Sequence, residues 1–297
     1  MKKYPAWSYA VSIAAMFLLL LVMLLTAFQC TVFDRSFIDS EMRKFGVAER
    51  IGMDQERLME LYDEVLKYLE DERDDLDITV VRNGETMKAF HEREILHMVD
   101  VEALFRGGFW LRNAGAILCM LLIALCVAKK QGGVIFRAFL IASGVFVALV
   151  AAVGLAILID FDTTFTLFHQ IFFTNDLWQL DYRTDLLMNI VPESFSYDVA
   201  IRTILYFGIT WIVFLMISLL TNQLCKEECH GGSAWRAGVD SALYRNGTFV
   251  DPGHSTGALP ADFADSGDPH SSAGAGAIEP GCPGGRGGDH LFLPSSQ

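Results

Sequence analysis

At 297 residues, with 52% hydrophobic and only 20% charged side chains and a mean hydropathy of +0.34, the chain is too apolar for an ordinary water-soluble globule. Its formal net charge of −13 offers no basic surface for nucleic acid, and none is expected as a partner. Long charge-free runs place the chain among integral membrane proteins.

The first charge-free run extends from Tyr4 to Phe33. A bilayer core takes about 20 apolar residues, so residues 1–30 are expected to hold a first span. Lys2 and Lys3 give this run the look of a signal peptide, but its apolar core exceeds the usual length of about 7–15 residues. Phe28 and Gln29, not small residues, precede Cys30, which argues against lipoprotein-type cleavage. An uncleaved anchor is expected.

Residues 31–108 carry 20 acidic and 11 basic side chains, a net of −9, and are expected to form a small extracytoplasmic cap. Asp54 is a suitable N-cap for a helix reaching about Glu70. Leu58, Leu61, Tyr62, Val65 and Leu69 give that helix one apolar face, with Glu56, Glu60, Glu64 and Lys67 opposite. Asn83-Gly84 lies between the β-prone runs 78–82 and 85–90, a strong signal for a two-residue hairpin turn. A second helix is expected from Glu92 to about Phe105, ended by Gly107-Gly108.

Further spans are expected over 109–128, where Arg112 can snorkel, over 138–159 and over 202–225. Lys2 and Lys3, then Lys129, Lys130 and Arg137 in the loop 129–137, and Lys226 mark one side as cytoplasmic. Both termini then lie inside the cell, and the cap and the loop 160–201 outside. Asp162 can cap a short helix through about Phe173, and Thr184 and Pro192-Glu193 have the form of helix starts. Residues 226–297 are rich in Gly, Ser, Pro and Asp without an apolar period, and are expected to be a disordered cytoplasmic tail. Six cysteines give no disulfide framework, and no metal or organic cofactor is indicated; Cys225 and Cys229 lack a second ligand pair.

Two histidines flank the expected spans on the outer side. If residues 92–105 are helical, His97 and Asp100 form an i,i+3 pair, with Glu94 three residues the other way. A carboxylate beside an imidazole fixes its tautomer and raises its basicity, although the commoner fate of such a charged run is a solvated face. His169 has Phe165, Phe168, Phe172 and Phe173 at −4, −1, +3 and +4, and three of these four share its face. That pattern suits an imidazole walled by rings and equally an interfacial helix pressing phenylalanines into lipid. Beyond it, Asn175, Trp178 and Arg183 are donors suited to an oxyanion, and Asp176, Asp181, Asp185 and Glu193 are acids that can orient His169 or bind an amine. The same residue types also make ordinary turns and caps. There is no Gly-x-Ser-x-Gly elbow, glycine-rich phosphate loop or His-Glu-x-x-His zinc motif. Charge-free span cores argue against an ion-coupled transporter.

Around these histidines the chain resembles a known bacterial membrane family. Glu92-Arg93-Glu94-Ile95, then His97-Met98-Val99-Asp100-Val101 and Leu104-Phe105, look like its first motif. Phe168-His169, Phe172-Phe173, Asn175-Asp176-Leu177-Trp178, Leu180-Asp181, Thr184-Asp185 and Pro192-Glu193 to Phe195 look like its second. The family is that of the lipoprotein intramolecular transacylase, and the likeness covers about residues 5–225. Tyr182 and Arg183 stand where a more usual member has a small residue or proline.

The resemblance implies an all-α integral membrane enzyme of four transmembrane helices with a small α+β extracytoplasmic cap. Its substrate would be a diacylglyceryl-modified lipoprotein. The sn-2 acyl chain would move to the α-amine of the N-terminal cysteine, giving the lyso form. His97 and His169 would be catalytic, one as base and the other as acid. Glu94, Asp100, Phe168, Phe172, Asn175, Asp176, Trp178, Asp181, Asp185 and Glu193 would support them or bind substrate. A non-catalytic receptor or assembly factor, or another lipid-modifying hydrolase, are the alternative classes.

Overall fold

The computed structural model describes residues 4–129 and 132–245. Residues 4–217 form one compact unit. Its elements in chain order are α1 (Ala6–Val32), α2 (Arg35–Lys44), α3 (Val47–Ile51), α4 (Gln55–Leu69), β1 (Thr79–Arg82), β2 (Glu85–Lys88), α5 (Glu92–Ala128), α6 (Ile135–Ile159), α7 (Phe161–Phe172), α8 (Leu186–Ile190) and the start of α9 (Glu193–Arg245). Four of these helices are long and apolar enough to cross a bilayer: α1, α5, α6 and α9 over Glu193–Gln223.

The spans are built as lipid-facing helices. Large apolar side chains point outward from α5, α6 and α9, as with Trp110 and Ile159, each more than 70% exposed, which water would penalise and hydrocarbon does not. Inward they use small residues for close packing. Gly115 of α5 lies against Val22 of α1, and Ser12 of α1 meets Cys126 of α5 at 3.4 Å. α1 packs against both α5 and α6. Within residues 4–217, α9 leans on α6 through Phe207 on Phe146, Phe214 on Phe139, and a hydrogen bond from Trp211 to Ser143 of 3.1 Å.

The cap has a core of the water-soluble kind. The apolar face of α4, with Leu58, Leu61, Tyr62, Val65 and Leu69, is buried as its periodicity requires. It packs on Phe37, Ile38 and Met42 of α2 and on Leu186, Leu187 and Ile190 of α8. The Tyr62 hydroxyl donates to the Ile190 carbonyl, so α8 is bonded to the cap as well as packed on it. The hairpin turns at Asn83 (φ 52°) and Gly84 (φ 84°), both in the left-handed region that a two-residue turn of this type demands.

Three local expectations change. The helix that begins at Glu92 does not stop at Gly107-Gly108 but runs unbroken through Ala128. Neither glycine takes the positive φ that ends a helix, and a chain entering lipid keeps its i→i−4 bonds because nothing there replaces them. α7 is capped by Asp160, whose carboxylate accepts the Thr163 N–H at 3.0 Å, and not by Asp162. α9 remains helical to Arg245, where an unstructured tail was expected from residue 226. The stretch 226–245 contains no proline to stop it. From residue 218 onward α9 belongs to a second unit, described by itself as helix. Residues 246–297 of the expected tail, and Lys2, Lys3 and Lys130 among the basic markers, lie outside the described residues.

Candidate active site: two imidazoles at the junction of cap and spans

The site grows from a stripe on the first turns of α5. At 100° per residue, Arg93, His97 and Asp100 fall within about 60° of arc. These turns also carry Glu92, Glu94, Glu102 and Arg106, so they stand clear of the apolar span that follows. The stripe faces the segment after α7. Arg93 donates to the Asp176 carbonyl at 2.6 Å, and the Asn175 amide donates to the Asp100 carboxylate at 2.8 Å. These two clasps lie on either side of His97 and bring the 173–178 segment across it.

His97 and His169 therefore meet. Their ring centroids are 6.0 Å apart, and each side chain is only 7% exposed. Phe173 touches both, at 5.3 Å from His97 and 5.4 Å from His169. It can reach both because it leaves α7 in extended conformation at the C-cap. His169 is further enclosed by Phe165 (4.0 Å), Trp178 (5.0 Å) and Phe168 (5.3 Å).

The two rings differ in hydrogen bonding. His169 Nδ1 lies 2.8 Å from the Phe165 carbonyl. A carbonyl only accepts, so Nδ1 carries the proton and Nε2 carries the free lone pair. His97 Nδ1 is buried with no partner. An unpaired buried lone pair costs less than an unpaired buried N–H, which favours the tautomer with its proton on Nε2. Burial pushes the His97 pKa down to about 4, helped by repulsion from His169 and opposed by the nearby Asp100 carboxylate. Burial lowers that of His169 too, opposed by its bond to the Phe165 carbonyl. Both rings are neutral at neutral pH.

The acids sort into different roles from those read along the chain. Asp100 makes no hydrogen bond to His97; its carboxylate is occupied by Asn175. Glu94 is fully buried and accepts two backbone N–H groups, from His91 at 2.8 Å and Leu187 at 2.7 Å. It caps α5 and fixes α8 at once. Desolvation raises its pKa, and the two N–H donors work against that rise. Asp185 accepts from the Asp181 N–H at 2.7 Å and the Thr184 hydroxyl at 3.1 Å, while Asp181 accepts from the Arg183 N–H at 2.9 Å. Glu193 stands in the first turn of α9.

The expected oxyanion donors are likewise engaged. Trp178 Nε1 bonds the Asn175 carbonyl at 3.0 Å, the Asn175 amide bonds Asp100, and Arg183 bonds the Tyr182 hydroxyl at 3.1 Å. Phe172 packs on Phe168 at 4.8 Å and not on His169, and both phenylalanines are substantially exposed. Both readings of α7 thus hold on different faces: rings wall the imidazole on one side, and apolar residues face outward on the other. His91, Glu94 and Asp185 place ligand-type atoms within 4.8 Å of one another. Their carboxylates already serve backbone N–H groups, so the cluster works as a clamp. Arg93 has no role in the sequence reading, where only its position at i−4 from His97 signals it, and Phe173, one of the four rings placed around His169, touches His97 as well.

Fold and site together define a multi-pass helical membrane protein with a paired-imidazole centre beneath a small cap. The chain belongs to the lipoprotein intramolecular transacylase Lit family, whose profile matches residues 13–196. It is 29% identical over 206 residues to an uncharacterized protein of Aquifex aeolicus, covering 68% of this chain and 88% of that one. Its fold is similar to the in meso structure of the membrane integral lipoprotein intramolecular transacylase Lit from Bacillus cereus, with a TM-score of 0.61 and 18% identity over 73% of this chain and 98% of the other. A second structure of that protein, with a histidine replaced by arginine, gives a TM-score of 0.59 at 17% identity, over 73% of this chain and 94% of the other.

Proposed function

We propose that the protein moves the sn-2 acyl chain of a diacylglyceryl lipoprotein to the α-amine of its N-terminal cysteine, with His97 and His169 as the reacting groups. The carrying observation is that two buried, neutral imidazoles from distant segments share one wall, Phe173. Donor ester and acceptor amine belong to one molecule, so no enzyme nucleophile is needed. Proximity can supply roughly 7–11 kcal/mol of the barrier.

In this reading His169 is the base. Its Nε2 lone pair takes a proton as the amine nitrogen bonds to the ester carbonyl carbon. The Phe165 carbonyl holds the resulting imidazolium through Nδ1–H. His97 stays neutral and donates its Nε2–H to the developing oxyanion, a use suited to an imidazole with a lowered pKa. The carbon–oxygen bond to the glyceryl oxygen then breaks, and that oxygen takes the proton from His169. The products are an amide and a free hydroxyl, with one proton passed through one ring. The repulsion that helps lower the His97 pKa suits a pair that holds a single proton at a time.

Other residues position these two. Asp100 with Asn175, and Arg93 with Asp176, hold the loop across His97. Trp178 and Phe168 wall His169 and exclude water that would hydrolyse the ester. Glu94, Asp185 and Asp181 fix α8 and its approach. Phe172 faces lipid, and Glu193 begins the helix that closes the loop. The cap is assigned to the outside of the cell because Lys2 and Lys3 precede α1 in the sequence, Lys129 follows α5 and Arg137 stands in the first turn of α6.

Mass spectrometry of lipoprotein N-terminal peptides tests this reading in cells that lack their own N-acylating activity. Wild type should yield N-acylated lyso-form peptides, and His97→Ala or His169→Ala should not. Free fatty acid without N-acyl product would instead identify a hydrolase.

A further inference from the structure

An apolar cavity of about 700 Å³ runs from beneath the cap down between the spans. Its roof is Tyr62 and Val65 of α4 with Leu187 of α8. On α1 its wall is the stripe Phe17, Leu21, Leu24, Phe28 and Val32. From Phe17 to Val32 that stripe rises about 22 Å along the helix axis. One leaflet of hydrocarbon is about 15 Å deep, half of a bilayer core. The cavity is therefore as long as one acyl chain lying parallel to its neighbours in the leaflet, with room left beneath the cap.

The deep end is closed by rings. Phe17 of α1 meets Phe146 of α6 edge to face at 5.1 Å, and Phe146 is backed by Phe207 of α9 at 5.7 Å. Neither imidazole lines the cavity, but its cap-side end lies next to His97 along α5. Met98, Val101 and Phe105 of α5 line it, and with His97 they fall within about 100° of helix arc. A chain whose carbonyl carbon is held at His97 has these lining residues of α5 as its next neighbours along the helix.

We propose that the cavity receives the transferred acyl chain, and that the Phe17–Phe146 pair is the floor that limits its length. This rests on the transacylase reading and adds a chain-length preference to it. Removing the Phe17 ring deepens the floor, and enlarging Leu21, one turn nearer the cap, raises it.

The test uses purified full-length protein and synthetic diacylglyceryl lipopeptides that differ only in sn-2 chain length, with a second series that differs only in sn-1. The readout is N-acyl product at each length. Phe17→Ala should raise relative kcat/KM for the longest sn-2 chains by at least about tenfold, the scale set by methylene fit in an apolar pocket. Leu21→Phe should lower it by a similar factor, each profile being read relative to the same variant's rate on the shortest chain. An unchanged sn-2 length profile in both variants would overturn the ruler. A response to sn-1 length alone would overturn the assignment to the transferred chain. No N-acyl product from wild type with any substrate would overturn the transacylase reading itself.

Discussion

The α7 wall of the site and the α5 wall treat their histidines differently. On the α7 side, His169 sits among Phe165, Phe168, Phe173 and Trp178 and gives its Nδ1 proton to a carbonyl. On the α5 side, His97 has a buried Nδ1 with no partner, and the polar residues one turn to either side are spent on holding the loop. A ring whose imidazolium is supported by a hydrogen bond is suited to accept a proton. A ring whose protonation is opposed by burial and by its neighbour is suited to remain a neutral donor. In the proposed mechanism this difference is what divides the roles between the two histidines.

Breaking the base should have the largest effect. His169→Ala should lower kcat by about 10³–10⁴-fold, near the upper range for a general base. His97→Ala should lower it by about 10²–10³-fold, the range for one oxyanion donor. His97→Gln should recover part of that loss through its amide, whereas His169→Gln should recover none because it cannot accept a proton at neutral pH. Equal losses and equal recoveries at the two positions would erase the asymmetry.

A smaller effect separates structure from chemistry. Glu94→Gln replaces a carboxylate that serves two backbone N–H groups in a fully buried place. It should lower stability by about 2 kcal/mol, read as a fall in thermal midpoint in detergent, with kcat of the folded fraction nearly kept. Asn175→Ala and Asp100→Ala remove the same hydrogen bond and should each cost about tenfold in kcat/KM, with the double variant no worse.

The pH dependence sharpens the contrast further. Because folding lowers both histidine pKa values from 6.5, His97 to about 4, the unfolded chain takes up protons near pH 6.5 that the fold refuses. The stability contribution is fully present above pH 6.5 and is lost as pH falls toward 4, amounting to roughly 3 kcal/mol for His97. The thermal midpoint should drop over that window, and less in His97→Gln. Activity should instead fall below about pH 8, where the substrate amine becomes protonated, without a histidine limb near 6.5.

Much of this was legible along the chain because each feature had a local cause. Charge-free runs fixed the four spans, the period of Leu58, Leu61, Tyr62 and Val65 fixed α4, and Asn83-Gly84 fixed the hairpin. The histidines were visible as residues, and the family motifs around them pointed to a common site. What could not be read was partner choice between distant segments. Asp100 is well spaced for His97, yet Asn175 takes its carboxylate, because the loop needs a tie there. Glu94 is spaced to support His97 and is a clamp, because α8 brings the Leu187 N–H to it. Phe172 has the right helical offset from His169, whereas Phe168 and Phe173 make the contact, since the helix ends and Phe173 swings back. Asp34, which caps α2 through the N–H groups of Ser36 and Phe37, was a readable signal that went unused.

The most direct test is a double-mutant cycle on acyl transfer with purified protein and one synthetic diacylglyceryl lipopeptide, comparing His97→Gln, His169→Gln and the pair by formation of N-acyl product. Rings that act on one substrate carbonyl should be non-additive, with the double variant no slower than His169→Gln alone. Losses that multiply fully, or a double variant that still makes N-acyl product at the wild-type rate, would contradict a shared centre.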